Sequence, residues 1–224
     1  MRMKENISTL IFDVNETLLD LQPLKDSINN SLQDLNAANV WFAQLLHYSL
    51  VESITGTYHD FSGIAAAVLK MNAQKHNLDF SQDEIKKILS PIQSLHPYPE
   101  VKEGLKQLKD SGYEMVAFSN GKPEVLKNQL EFSKLDHYFD HILSVEAVKK
   151  YKPHPDTYRY AIKQAGGEIE TSMMVAAHGW DIAGANRAGL QTAFIQREGK
   201  FIFPLAAEPD IIAADIKMLA SELS

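Results

Sequence analysis

Cysteine is missing altogether from the 224 residues. Its absence excludes a disulfide framework, a thiolate zinc site and a cysteine nucleophile. Excess positive charge is missing too: 22 Lys and Arg stand against 29 Asp and Glu, a formal net charge of −7. A general nucleic-acid binder would carry a basic patch, so no nucleic-acid partner is expected. A site sets its own local field, so an anionic substrate stays open. No apolar run approaches the ~20 residues that cross a bilayer as a helix, and no membrane partner is expected. Residues 1–6 are polar and lack the apolar region of a signal peptide, which makes a cytoplasmic protein the expectation. Internal repeats and low-complexity segments are absent as well. What remains is 45% hydrophobic and 23% charged, the composition of a soluble globular protein. The length suits one large domain, or a core with a smaller inserted unit.

The chain is organised around Leu10-Ile11-Phe12-Asp13-Val14-Asn15-Glu16-Thr17-Leu18-Leu19-Asp20. An apolar run over residues 7–12 ends abruptly in a carboxylate, the pattern of a β-strand that delivers Asp13 at its carboxyl end. In an open parallel sheet that end is where ligands bind. A turn former or helix cap would read the same way locally. From about 21 to 95 no strand run occurs, and apolar residues recur at helical spacing. Val40, Trp41, Leu45, Leu46 and Leu50 fit one face, and Phe61, Ala65, Val68, Leu69 and Met71 another. Ile85, Ile88, Leu89 and Ile92 fit a third, opened by Ser81 and Glu84 as a capping box. Roughly 75 residues of helix are too many for an ordinary crossover and predict an inserted helical unit.

After Pro97-Tyr98-Pro99, helix and strand alternate. Helices are expected over 101–111, 123–132, about 156–165, and after His178-Gly179-Trp180-Asp181 through 188. Strands are expected over 113–118, 139–144, 173–177, 191–195 and 211–212. The alternation predicts an α/β fold, a Rossmann-like parallel sheet with helices on both faces. Polar residues close three of the strands: Asp13, Ser119 with Asn120, and His178 with Asp181. If those strands are neighbours, the side chains converge at one edge of the sheet, which turn chemistry alone does not explain.

Asp13 with Thr17 four residues on, Ser119-Asn120, Lys152-Pro153 and Asp181 form an ordered set that resembles the haloacid dehalogenase superfamily. Phe12-Asp13-x-x-x-Thr17-Leu18-x-Asp20, Leu143-Ser144-Val145, Tyr151-Lys152-Pro153 and Trp180-Asp181-x-x-Gly184-Ala185 are similar to the type II (S)-2-haloacid dehalogenases. The resemblance implies a catalytic core over 1–18 and 96–224 with an all-helical cap over 19–95. It implies a small 2-haloacid as substrate, no cofactor and no metal. Asp13 would attack the carbon bearing halogen and form an ester. Lys152 would hold Asp13 ionised, and Thr17 would fix it by a hydrogen bond. Ser119, with the N–H groups of Val14 and Asn15, would bind the substrate carboxylate. Asn120 and Trp180 would line the halide position. Asp181 would orient Lys152 or Ser119, and Tyr158 would support the site. Plainer readings stand beside these: a surface lysine for Lys152, helix caps for Thr17 and Asp181, and sheet packing for Tyr158.

Several positions depart from the family pattern. Phosphatases of the superfamily carry a second Asp two residues after the nucleophile, where this chain has Asn15, whose amide supplies no proton at neutral pH. A phosphate-ester leaving group needs that acid and a halide does not, so the position points to displacement at carbon. The family's cap arginine falls at Phe42, with Leu46 and Phe61 expected as apolar neighbours. Such a pocket would accept a methyl or larger group at the reacting carbon and favour chloride and bromide over fluoride. The family's asparagine before the Trp-Asp pair is His178 here, and its serine two residues earlier is Ala176. His178, with an ordinary pKa near ~6.5, is expected to activate the water that cleaves the ester, with Glu16 orienting the ring. Otherwise His178 is a core histidine or cap, and Glu16 a solvated turn residue. Two other functions stay open. One is a magnesium-dependent small-metabolite phosphatase with Asp13 and Asp181 as metal ligands. The other is a non-catalytic binding module on the same fold. The cap's apolar faces leave surface for a second copy, and similar dehalogenases are often homodimers.

Overall fold

The computed structural model describes residues 7–223; the expectation for residues 1–6 lies outside them. Strand β1 (Thr9–Phe12) is buried along its whole length, which is why its sequence runs apolar without alternation. It pairs in parallel with β2 (Glu114–Ser119) on one side and with β4 (Ser172–Ala176) on the other. Beyond β2 lies β3 (His141–Ser144), and beyond β4 lie β5 (Gln191–Ile195) and β6 (Ile211–Ala213). The six parallel strands run in the order β3-β2-β1-β4-β5-β6, the Rossmann-like sheet expected. The chain builds outward from β1 first on one side and then on the other. The carboxyl ends of β1, β2 and β4 therefore meet at the switch point, where such sheets bind ligands.

Four helices fill the stretch between β1 and Pro97: α1 (Gln22–Leu32), α2 (Ala37–Thr55), α3 (Phe61–Lys75) and α4 (Gln82–Leu89). Gly56, with φ of 75°, ends α2 in the left-handed conformation that glycine reaches without a Cβ clash. Asp60 caps α3 by accepting from Gly63 N–H at 3.0 Å, and the Ser81–Glu84 capping box opens α4 as expected. Trp41, Leu45 and Ser49 form the buried stripe of α2, while Val40 is 38% exposed. Val40 is one residue, about 100°, around the helix from Trp41, so the two cannot both face inward. The Trp41 indole donates to Ala65 O at 3.0 Å and ties α2 to α3. The segments leading into and out of this helical unit run side by side. Leu19 bridges Pro97 in antiparallel fashion, Asp20 N–H donates to His96 O (2.9 Å), and Tyr98 N–H donates to Leu18 O (3.1 Å).

Helices α5 (Val101–Asp110), α6 (Pro123–Ser133), α7 (Pro155–Ala165), α8 (Gly179–Ala188) and α9 (Ile216–Leu223) surround the sheet. Of these, all but α9 match helices expected from the sequence. That helix packs Ile216, Leu219 and Ala220 against α5 and the β5–β6 edge. Among the described residues no helix is long and apolar enough to cross a membrane.

Candidate active site

Asp13 follows the last residue of β1, and its N–H donates to Val175 O of β4 at 3.0 Å. The sheet itself therefore fixes the carboxylate's backbone. Lys152 Nζ donates to Asp13 Oδ1 at 2.9 Å, and Thr17 Oγ1 donates to Oδ2 at 2.7 Å. His178 Nδ1 lies 3.1 Å from Oδ2. Burial would push the Asp13 carboxyl up. The Lys152 ammonium and the His178 hydrogen bond outweigh it and hold Asp13 well below the usual carboxylate range. Thr17 Oγ1 also accepts from Ala177 N–H at 3.0 Å, which sets the hydroxyl proton toward Asp13.

Lys152 is only 2% exposed. Besides Asp13 it donates to Asp181 Oδ2 at 2.7 Å. Burial would lower its pKa, and the Asp13 and Asp181 charges reverse the shift and raise it. Asn120 Oδ1 accepts from Lys152 N–H at 2.9 Å, so Asn120 positions the Lys152 backbone. Asp181 sits in the first turn of α8, after the cap position held by His178. Burial pushes the Asp181 carboxyl up. The Tyr158 hydroxyl donates to Asp181 Oδ1 at 2.5 Å, and burial and the Asp181 charge keep its proton far above the ordinary range. The orienting partner of Asp181 is thus Lys152. Ser119 instead accepts from Gly121 N–H at 3.0 Å.

The loop after β1 turns tightly. Glu16 N–H donates to Leu19 O at 2.8 Å, and Glu16 takes a φ of 60°, uncommon outside glycine. Glu16 is 1% exposed, not the solvated turn residue of the plainer reading. Its Oε2 lies 3.0 Å from His178 Nε2. Lys200 Nζ reaches the same oxygen at 2.5 Å, and Lys25 Nζ of α1 reaches Oε1 at 2.5 Å. Burial would raise the Glu16 pKa, and His178 with Lys200 drives it well below the usual range instead. Burial would lower the His178 pKa, and its bonds to Asp13 and Glu16 raise it above the ordinary value. The expectation of an unperturbed His178 is therefore corrected: two carboxylates clamp one ring and favour the imidazolium.

The remaining expected residues divide between two cavities. The larger, about 810 Å³, is bounded by Phe42, Leu46, His178, Trp180, Lys25 and Lys200 among others. Phe42 and Trp180 flank the His178 ring, with centroids 5.8 and 5.3 Å away. The smaller, about 90 Å³, is lined by Asn15, Trp41, Leu45, Phe61, Gly121 and Gln129. Phe61 therefore does not join Phe42 and Leu46. The α2 stripe turns Trp41 toward α3, and Phe61 opens α3 on that side. Asn15 Oδ1 accepts from Gln129 Nε2 at 2.9 Å. Among the described residues the Val14 and Asn15 N–H groups make no backbone hydrogen bond, so both remain available as donors. Val14 O accepts from Leu18 and Leu19 N–H at 2.9 and 3.0 Å. The two carboxylates expected as metal ligands in a phosphatase, Asp13 and Asp181, share the Lys152 ammonium.

Lys25, Lys200 and Gln129 escaped the sequence analysis. Lys200 belongs to the polar segment Gln196-Arg197-Glu198-Gly199-Lys200 that follows β5. It is a fourth polar strand end that the logic applied to the other three would have flagged. Lys25 and Gln129 lie on helices with no local signal of their role.

The haloacid dehalogenase-like hydrolase family matches residues 10–195. Over 201 residues the chain is 30% identical to the (S)-2-haloacid dehalogenase 4A of Burkholderia cepacia, covering 88% of this chain and 86% of that one. It is 26% identical to the haloacetate dehalogenase H-2 of a Moraxella species, covering 92% and 93%. The solved L-2-haloacid dehalogenase of Xanthobacter autotrophicus with chloropropionic acid covalently bound superposes with a TM-score of 0.89 at 22% identity, covering 96% and 97%, a likeness of fold. A match over residues 10–195, which takes in the helical insertion and the polar ends at Asp13, Ser119 and His178, makes this chain a member of the haloacid dehalogenase-like hydrolases.

Proposed function

We propose that this hydrolase acts on carbon–halide bonds as an (S)-2-haloacid dehalogenase, removing halide from short 2-haloalkanoic acids. The observation that carries the proposal is the buried Asp13 carboxylate, kept ionised by Lys152, with Asn15 in place of a second acid. The names of the relatives point the same way. In the first step an Asp13 oxygen attacks C2, the C–halogen bond breaks, and halide leaves with the electron pair. The substrate carboxylate rests on Ser119 and the Val14 and Asn15 N–H groups. Asn120 and Trp180 border the leaving halide, and residues 19–95 act as the cap that closes over the reacting carbon.

Esterification removes the Asp13 charge, one of the two that keep His178 protonated. His178 then releases its proton to solvent and becomes the base, its Nε2 held by Glu16 and its Nδ1 facing the ester. Water attacks the Asp13 carbonyl carbon and gives a proton to Nδ1. That proton passes to the departing 2-hydroxy oxygen as the ester bond breaks, and the second water proton, left on the Asp13 acid, passes to Nδ1 and restores the resting pair. The products are a 2-hydroxy acid, halide and one proton. A homodimer and a cytoplasmic location belong to the same proposal, and light scattering and cell fractionation test them.

The deciding experiment is a halide-release screen over 2-haloacids of varied halogen, length and stereochemistry, run beside phosphate esters with magnesium. Halide release from an (S)-2-haloacid, with an Asp13 adduct in intact and peptide mass spectra, is the expected result. Phosphate release without halide release overturns the proposal.

A further inference from the structure

Water activation as proposed needs Glu16 to hold one nitrogen of His178, and for that a single contact is enough. Glu16 makes three: Lys25 on Oε1, and Lys200 with His178 on Oε2. The two lysines come from distant parts of the chain, Lys25 from α1 and Lys200 from the segment after β5, and meet on a carboxylate almost wholly buried. We propose that Lys25 and Lys200 are positioning residues that make His178 give up its proton once Asp13 is esterified, and that Lys25 ties this release to the seating of the helical cap. The inference rests on the dehalogenase reading above.

The charges in the site support it. At rest three carboxylates, Asp13, Glu16 and Asp181, face four cations, Lys25, Lys152, Lys200 and protonated His178. With the substrate carboxylate bound the site holds four charges of each sign; esterification neutralises Asp13 and leaves four cations against Glu16, Asp181 and that carboxylate. Histidine is the side chain whose charge changes near neutrality, so the surplus is relieved there. The groups facing His178 are Asp13 and Glu16 from the loop after β1, Lys200 from the segment after β5, and Lys25 and Lys152 beyond the two carboxylates. The Phe42 and Trp180 rings on its flanks do not titrate. Without the lysines, Glu16 would be an uncompensated carboxylate on Nε2 and would keep the ring charged after Asp13 was neutral. The Lys200 charge already acts on His178 in the releasing direction. Lys25 stands on the first helix after the linker, so lifting that helix frees one oxygen of Glu16 and strengthens its hold on the proton.

The test uses Lys25→Met, Lys200→Met and the conservative Lys200→Arg, with (S)-2-bromopropionate as the probe. Alkylation is read from the halide burst and ester hydrolysis from decay of the Asp13 adduct, each across the neutral and alkaline range. In either methionine variant hydrolysis at neutral pH falls about tenfold relative to alkylation, as for a rise of one unit in the base's pKa. The adduct accumulates, and the loss is recovered at higher pH. Lys200→Arg keeps the wild-type profile. A second measurement is independent of turnover. In Asp13→Asn, whose amide stands in for the neutral ester, the His178 ring titration followed by NMR moves up by roughly one unit when Lys200→Met is added. A profile superimposable on wild type overturns the inference. So does a loss by the same factor at every pH, the mark of a lysine that only docks the cap. A wild-type protein that never releases halide overturns the dehalogenase reading and the inference with it.

Discussion

Lys152 places one ammonium between two buried carboxylates, so its removal leaves Asp181 without a cation and Asp13 with His178 alone. Lys152→Met should cost about 3 kcal/mol of stability, the usual result of leaving a buried charge unpaired. It should also slow formation of the Asp13 adduct, because one of the two charges that keep the carboxylate ionised is gone; denaturant titration and mass spectrometry read the two effects. The same charges set the pH dependence of stability. Asp13 and Glu16 have folded pKa values below their unfolded ones. Their contribution is present above the unfolded values, near ~4, and is lost as pH falls through the folded ones. His178 is shifted upward. Its contribution is full below ~6.5 and is lost as pH rises through its folded value. Denaturation midpoints should therefore decline on both sides of mildly acidic pH, and His178→Asn should flatten the alkaline side and also weaken the acid side, because His178 is one of the groups that hold Asp13 and Glu16 down. His178→Ala should still be alkylated yet turn over poorly, with the ester trapped on Asp13; Glu16→Gln should do the same more mildly. Wild-type turnover in His178→Ala would remove it as the base.

The elements hold these side chains by close approach. Helix α8 passes the Lys152-Pro153 segment at Gly184, where an added Cβ would lie 2.2 Å from Pro153 Cβ and 2.7 Å from the Tyr158 hydroxyl. Gly184→Ala therefore has to displace the backbone carrying Lys152 or the Tyr158–Asp181 bond. An overpacking cost of about 2 kcal/mol is expected, with loss of halide release beyond what the fall in stability explains. Helix α2 presents the Phe42 ring beside His178, and on the dehalogenase proposal that ring offers the leaving halide no charge. Chloride and bromide should accordingly leave faster than fluoride, as ion-selective electrodes on matched 2-halopropionates would read. Efficient defluorination by the unmodified protein would overturn this ordering and the reasoning from Phe42 behind it.

At the scale of the molecule, the helical unit joins the sheet through two adjacent strand-like segments, Leu18 to Asp20 and His96 to Tyr98. Further ties cross from unit to core. Lys25 reaches Glu16, Gln129 Nε2 donates to Ile92 O at 2.8 Å, and the Tyr151 hydroxyl donates to His59 O. If residues 19–95 act as a cap, as proposed, the paired linkers are where it would hinge and these ties are what would hold it shut. Hydrogen exchange at Leu19 and Asp20 should slow when a non-turnover 2-hydroxy acid is bound, and unchanged exchange would argue against hinge closure.

Much of this was legible in the sequence because it rests on local rules. The period of apolar residues separates the helical unit from the sheet. Runs without alternation identify strands buried on both faces. The abrupt change from apolar to polar at Asp13, Ser119 and His178 marks the ends at which ligands bind. Those positions, with Asp181, needed only the assumption that their strands are neighbours, whereas Thr17 and Lys152 came from the resemblance to the dehalogenases. The Glu16–His178 pairing was legible on the same assumption, but its charge state was not. A pKa depends on burial and on every charge within a few ångströms, and no spacing along the chain shows that Lys25 and Lys200 both end on Glu16. The separation of Phe61 from Phe42 was also hidden, since helical periodicity says which residues share a face and not which neighbour that face meets. The sequence by itself determined most of the elements, α1 and α9 excepted, the order of polar strand ends and the identity of the carboxylate between them. Only the tertiary structure decided which cations stand beside which anions, because electrostatic energy follows distance in space and not separation in sequence.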